Sequence, residues 1–99
     1  MLLRPHLLLA ALLGGCATYD GTTVMFACPG EGNDVKATFY STEPPTLMAE
    51  RANRTAFMTL QRAASGAKYE GAGDMLWENE GEARVIWGYG RPEENCKKR

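Results

Sequence analysis

Ala63-Ala64-Ser65-Gly66-Ala67-Lys68-Tyr69-Glu70-Gly71-Ala72-Gly73-Asp74-Met75-Leu76-Trp77-Glu78-Asn79-Glu80-Gly81-Glu82-Ala83 decides the fold. Ser65 to Tyr69 opens it as a small polar loop carrying a hydroxyl and a cation. Lys68 to Glu70 has room for a short strand, and Gly71-Ala72-Gly73-Asp74 turns it. In the next strand Met75 and Trp77 alternate with Leu76 and Glu78, and Asn79-Glu80-Gly81 turns again. Glycine, asparagine and aspartate at such points supply the backbone freedom that tight turns need. The stretch reads as two adjacent loops hung on one hairpin, with hydrogen-bond donors outward. Tyr69 and Trp77 are expected in the core.

Upstream, the same alternation recurs. Thr23–Cys28 puts Val24, Phe26 and Cys28 on one face, a strand pattern. Pro29 to Asp34 is turn chemistry, and Val35–Tyr40 is a second strand with Val35, Ala37 and Phe39 on one face. Pro44 and Pro45 break it, because proline cannot donate to a sheet ladder. Thr46–Ala52 suits a short helix by propensity and equally a strand with Leu47 and Ala49 inward; the turn signal at Asn53-Arg54 favours the strand. Thr55–Arg62 then follows, with Ala56, Met58 and Leu60 on one face. Downstream, Ala83, Val85 and Trp87 point inward, Gly88 to Pro92 bends, and Glu93–Cys96 closes the sheet. Lys97-Lys98-Arg99 reads as a solvated basic tail. Short strands with turn signals every eight to twelve residues read as all-β. Closure into a small antiparallel β-barrel of about eight strands would remove exposed edges.

The first 15 of the 99 residues stand apart. Arg4 precedes the apolar run Leu7–Leu13, and Leu13-Gly14-Gly15-Cys16 follows. The run is too short to span a bilayer as a helix. The pattern resembles a bacterial lipoprotein signal peptide, which implies cleavage before Cys16, lipidation of its thiol, and a tether over residues 16–22 leading to the domain at 23–99. Removal of Arg4 leaves 10 Lys and Arg against 12 Asp and Glu, a net charge of about −2. The only histidine, His6, leaves with the leader. Ser-His and Cys-His catalysis are thereby excluded, zinc sites of His and Cys are not expected, and the chain does not read as an enzyme. Neither cofactor, metal nor nucleic-acid partner is expected. Export places Cys28 and Cys96 in an oxidising compartment, where two thiols in a small domain pair.

Phe26-Ala27-Cys28, Ser65-Gly66-Ala67-Lys68-Tyr69 after two alanines, Leu76 to Ala83 around Trp77, and the late Cys96 together resemble the MliC family, the membrane-bound lysozyme inhibitors of c-type lysozyme. The resemblance covers nearly the whole domain. It implies an eight-stranded antiparallel barrel and a periplasmic protein anchored in the outer membrane. It also implies a c-type lysozyme as partner, contacted through Ser65, Gly66, Lys68, Tyr69 and Asn79. Three positions depart from the family pattern. Leu76 replaces the aromatic residue before the tryptophan, Gly81 falls one place late, and Asn79 stands where the family carries a lysine. Glu80 follows it.

A lysozyme cleaves glycosidic bonds with two carboxyl groups in a cleft, one protonated and one ionised. A plug needs donors on a loop narrow enough to enter. Ser65 offers a hydroxyl, Gly66 permits close backbone approach, Lys68 adds charge near the rim, and Tyr69 fixes the loop base. Asn79 keeps a donor without the charge. An acidic domain is steered toward a basic lysozyme, more so at low salt. The alternative is the same scaffold on another target: a different lysozyme class, peptidoglycan or an envelope protein. The sequence leaves open whether the domain forms a homodimer.

Overall fold

The computed structural model describes residues 21–99. The signal-peptide cleavage and the lipidation of Cys16 lie outside the described residues. Eight strands run in chain order: β1 (Gly21–Ala27), β2 (Val35–Tyr40), β3 (Thr46–Arg51), β4 (Arg54–Gln61), β5 (Ala67–Gly71), β6 (Asp74–Asn79), β7 (Glu82–Trp87) and β8 (Glu93–Lys98). Each pairs with the next, and β8 returns to β1, closing an antiparallel barrel.

Thr46–Arg51 is a strand, paired on both sides. Its Leu47 and Ala49 are buried as the alternation requires. The turn after it falls at Ala52-Asn53, one residue earlier than read, and Arg54 already belongs to β4. β1 starts at Gly21, two residues before the domain boundary taken from the sequence. Lys97 and Lys98 are not a free tail. They are the last rungs of β8, opposite Ala27 and Phe26, and Arg99 is held by a backbone bond to Met25 and an ion pair with Asp34. Cys96 is the one apolar inward residue of β8, which is why apolar alternation ended the strand there.

Phe26, Leu47, Met58, Leu76, Val35 and Val85 fill the barrel. Each contributes about 1.5–3 kcal/mol by leaving water. Ala37, Ala49 and Ala56 occupy one inward register row across β2, β3 and β4. These small side chains leave volume for the large ones, as the taper of a narrow barrel demands. Leu60 shares their parity but sits at the rim and is exposed. The Cys28–Cys96 disulfide is formed, closing a sequence separation of 68 residues.

All eight strands alternate in direction, so the barrel has two distinct ends. The start of β1, the β2–β3 loop, the β4–β5 loop and the β6–β7 turn share one rim. At the other end, buried Arg51 forms a bidentate pair with Glu94 at 2.9 and 3.0 Å. Beside it, Arg54 pairs with buried Asp74 and lies 4.4 Å from the Trp87 ring centroid. This end is closed by paired charges over a tryptophan.

Candidate functional site

Two connections of very different kind stand side by side on the loop rim. The β6–β7 connection is a two-residue turn between the paired residues Asn79 and Glu82. Its central residues, Glu80 and Gly81, have φ of 54° and 84°. Two successive positive values define the hairpin turn whose twist matches that of the flanking strands. The Glu78 carboxylate accepts the Gly81 N–H at 3.2 Å, so Glu78 is spent on fixing the turn. It lines the barrel mouth beside Val24, Tyr69 and Lys98. Glu80 and Glu82 remain exposed.

The β4–β5 connection spans residues 62–66 and would be loose on its own, but three contacts hold it against β6. Gly66 has φ of +69°, a left-handed conformation, and a side chain there would run into Glu78 O and come within 3.1 Å of Asn79 Cβ. Only glycine lets β5 start this close to β6. The Trp77 indole Nε1–H donates to the Ser65 carbonyl at 2.8 Å. The Asn79 amide Nδ2 donates to the Ser65 hydroxyl oxygen at 3.3 Å. Ser65, Gly66, Asn79 and Glu80 are all exposed at this point. Because the amide supplies a hydrogen to Ser65 Oγ, the serine keeps its own O–H free to donate outward.

Trp77 is therefore not a core residue. It lies on the outer wall, half-buried, with the Lys68 ammonium 4.8 Å and the Arg84 guanidinium 4.3 Å from its ring centroid. Register explains the sandwich: Lys68, Trp77 and Arg84 form one outward row across β5, β6 and β7. The alternation of Met75 to Glu78 was visible in the sequence, but its polarity did not say which half faced in. An indole N–H needs a partner once water is partly excluded, and the loop carbonyl supplies it. That latch was the functional element missed.

Lys68 sits one row below the rim, 3.5 Å from Glu70. Tyr69 is buried and faces the interior, edge-on to Phe39 at 5.5 Å between centroids. Burial, and secondarily the Glu78 carboxylate, pushes its hydroxyl above the ordinary tyrosine value of 10.0. It packs inside the barrel two residues after the start of β5. A groove runs along the outer wall beside the site, lined by Trp77, Asn79, Glu80, Glu82, Arg84 and Asn95. Cys28, Cys96 and Glu94 also converge within 4.8 Å, but the two sulfurs are bonded to each other and offer no thiolate to a metal.

A polar hydroxyl on a narrow glycine loop, latched by a tryptophan to a tight turn, is a rigid projection. The family model described as membrane-bound lysozyme-inhibitor of c-type lysozyme (MliC) matches residues 26–94, from the first core phenylalanine through both of these connections. The chain belongs to this family. Among solved structures it is similar to Pseudomonas aeruginosa MliC, crystallised in complex with hen egg white lysozyme. The match has a TM-score of 0.63 at 25% identity and covers 86% of this chain and 88% of that one. No curated protein matches the chain.

Proposed function

We propose that this protein is a lipid-anchored inhibitor of c-type lysozyme, held on the periplasmic face of the outer membrane, and that the β4–β5 loop enters the lysozyme cleft. The observation that carries the reading is the pairing of Ser65 with Asn79 on a latched loop. It leaves the serine hydroxyl hydrogen free to donate to a partner from an exposed loop. A carboxylate in the cleft accepts that hydrogen, and a charge-assisted bond of this kind is about twice as strong as a neutral one. The loop pays little ordering cost on binding, since Gly66, Trp77 and the turn at Glu80-Gly81 already fix it. Family membership and the relative solved with hen lysozyme support the same partner. The barrel has no role in bond-making in this reading; it is a plug.

Asn79 sets this member apart. A lysine there would bring a positive charge to the carboxylates, whereas the amide is neutral and already used on Ser65. Glu80 beside it adds a negative charge. These two residues favour a second reading, in which the same rim serves another lysozyme class, peptidoglycan or an envelope protein. Lysis of a bacterial suspension by an animal c-type lysozyme, at low and physiological salt, separates the two. The oxidised domain Ala17–Arg99 is expected to inhibit, and Asn79→Lys to inhibit more tightly with a steeper salt dependence. Inhibition by Asn79→Lys alone would move this member to the second reading. Inhibition by neither form would exclude c-type lysozyme as the target.

A further inference from the structure

The rim that carries Ser65 and Asn79 is also the rim from which β1 departs toward Cys16. Four residues lie between Cys16 and Gly21, and the five residue steps, fully extended, reach about 18 Å. A small domain is roughly 30 Å across. If the barrel stood on its tether with this rim toward the bilayer, a lysozyme could not enter the gap. The anchored protein has to lie on one side, and the two walls are unequal.

On the β1–β4 wall, one outward register row runs Thr23, Thr38, Met48, Phe57, and the row next to the rim runs Gly21, Tyr40, Thr46, Thr59. Neither row contains a charge, in a chain in which 23% of residues are charged. Phe57 is 65% exposed. The next row away from the rim, Met25, Lys36, Glu50 and Thr55, carries the first charges of this wall and bounds the patch. Tyr40, Met48 and Phe57 line an apolar groove with Thr42 and Thr46. The Thr23 and Thr38 hydroxyls bond to each other at 3.2 Å, which lowers their need for water. On the β5–β8 wall the equivalent rows carry Lys68, Glu70, Arg84 and Glu93. The tether itself starts in the uncharged row next to the rim: Gly21 is paired with Tyr40, whose ring packs against it.

We infer that the two uncharged outer rows of β1–β4 next to the rim are a membrane-docking face, seating Tyr40, Met48 and Phe57 in the headgroup boundary of the bilayer that holds Cys16. The inference rests on the lipid anchor of the preceding reading. Tyrosine suits the interface because its ring is apolar and its hydroxyl wet. The patch is too small to bind a membrane alone, but a covalent anchor confines it beside the lipid at high effective concentration. One acyl signal plus a weak second contact gives a stable posture. Lying on this wall, the barrel turns Trp77 and Arg84 away from the lipid and leaves the Ser65 loop open sideways.

The test uses the mature protein Cys16–Arg99 purified with its native lipid and reconstituted in bilayer nanodiscs of phosphatidylethanolamine and phosphatidylglycerol. A gadolinium-bearing headgroup attenuates NMR signals near the bilayer. Amides of Met48 and Phe57 are expected to lose the most signal and those of Trp77 and Arg84 the least, with the contrast abolished in Phe57→Asp. Phe57 is exposed, so this variant keeps its fold, which the unchanged spectrum of the soluble form checks. Equal attenuation around the barrel, or stronger loss on β5–β8, overturns the inference. So does a dimer in solution that Phe57→Asp dissociates, because the face then belongs to a second copy. Mass spectrometry of the same sample reports the acyl chains; their absence overturns the anchor and the docking face with it. Inhibition of lysozyme by the soluble domain depends on neither result.

Discussion

Gly66→Ala is the substitution most sharply defined by the geometry. The backbone there has φ of +69°, where an L side chain costs about 1–2 kcal/mol. The new Cβ also meets Glu78 O and lies 3.1 Å from Asn79 Cβ. These are main-chain and near-main-chain atoms of the neighbouring strand, so they yield only if β5 and β6 separate. Overpacking of this sort costs about 1–3 kcal/mol, for a total of roughly 2–5 kcal/mol. In a domain of this size each kcal/mol moves Tm by about 4–8 °C, so a fall of roughly 8–40 °C is expected. Gly81→Ala is the internal control. It has the same sign of φ, +84°, but nothing within 4 Å of the added carbon. It should cost only the conformational term, about 1–2 kcal/mol. Thermal unfolding of both variants, followed by circular dichroism, gives the comparison. Gly66→Ala should be clearly the worse of the two and should also lose lysozyme inhibition, since the Trp77 and Asn79 contacts to Ser65 cannot survive the displacement. Equal Tm values would refute the claim that close backbone approach at Gly66 sets the loop.

Three further outcomes follow from the same structure. Replacing both Cys28 and Cys96 by serine opens a loop of 68 residues' separation and should lower stability by about 4 kcal/mol on the chain-entropy model, measured by urea unfolding. Arg51→Ala leaves the Glu94 carboxylate without its bidentate partner and should cost about 3–5 kcal/mol, whereas Arg51→Met with Glu94→Leu should recover most of that loss. Tyr69 is held in its neutral form by burial and then by Glu78, above the ordinary value of 10.0. Its contribution is complete below pH 10.0, the unfolded value, and is lost as pH rises through the higher folded value. Stability of Tyr69→Phe should therefore fall less steeply above pH 10.0 than that of the parent, as read from Tm against pH.

What the sequence made legible was local periodicity. Leu47 and Ala49, Ala56 and Met58, and Ala83 and Val85 announce their inward faces because each apolar pair is flanked by polar residues. Thr46–Arg51 was resolved by its position between two turn signals rather than by propensity. Ser65, Gly66 and Asn79 were legible as one site only through the family resemblance, since 14 positions separate Ser65 from Asn79. Trp77 was misplaced because Met75-Leu76-Trp77 is apolar on both faces, so alternation carries no direction there. Lys97 and Lys98 read as a tail in the sequence because a strand can end on charged residues when only its backbone is needed for closure. The charged end of the barrel was invisible for a related reason. Arg51 and Glu94 lie 43 positions apart, and Arg54 and Asp74 lie 20 apart. Each reads alone as a turn or surface residue. Their burial follows from closure of the barrel, which no local pattern records.

The central claim is that the Ser65 loop occupies the substrate cleft. It is tested most directly by titrating the oxidised domain into hen egg white lysozyme by calorimetry, with and without a saturating chitooligosaccharide in the cleft. The account predicts binding that the oligosaccharide weakens in proportion to its own occupancy, and a Ser65→Ala variant that binds more weakly while keeping its fold. Binding that the oligosaccharide leaves unchanged would contradict it, because the domain would then grip lysozyme somewhere other than the cleft.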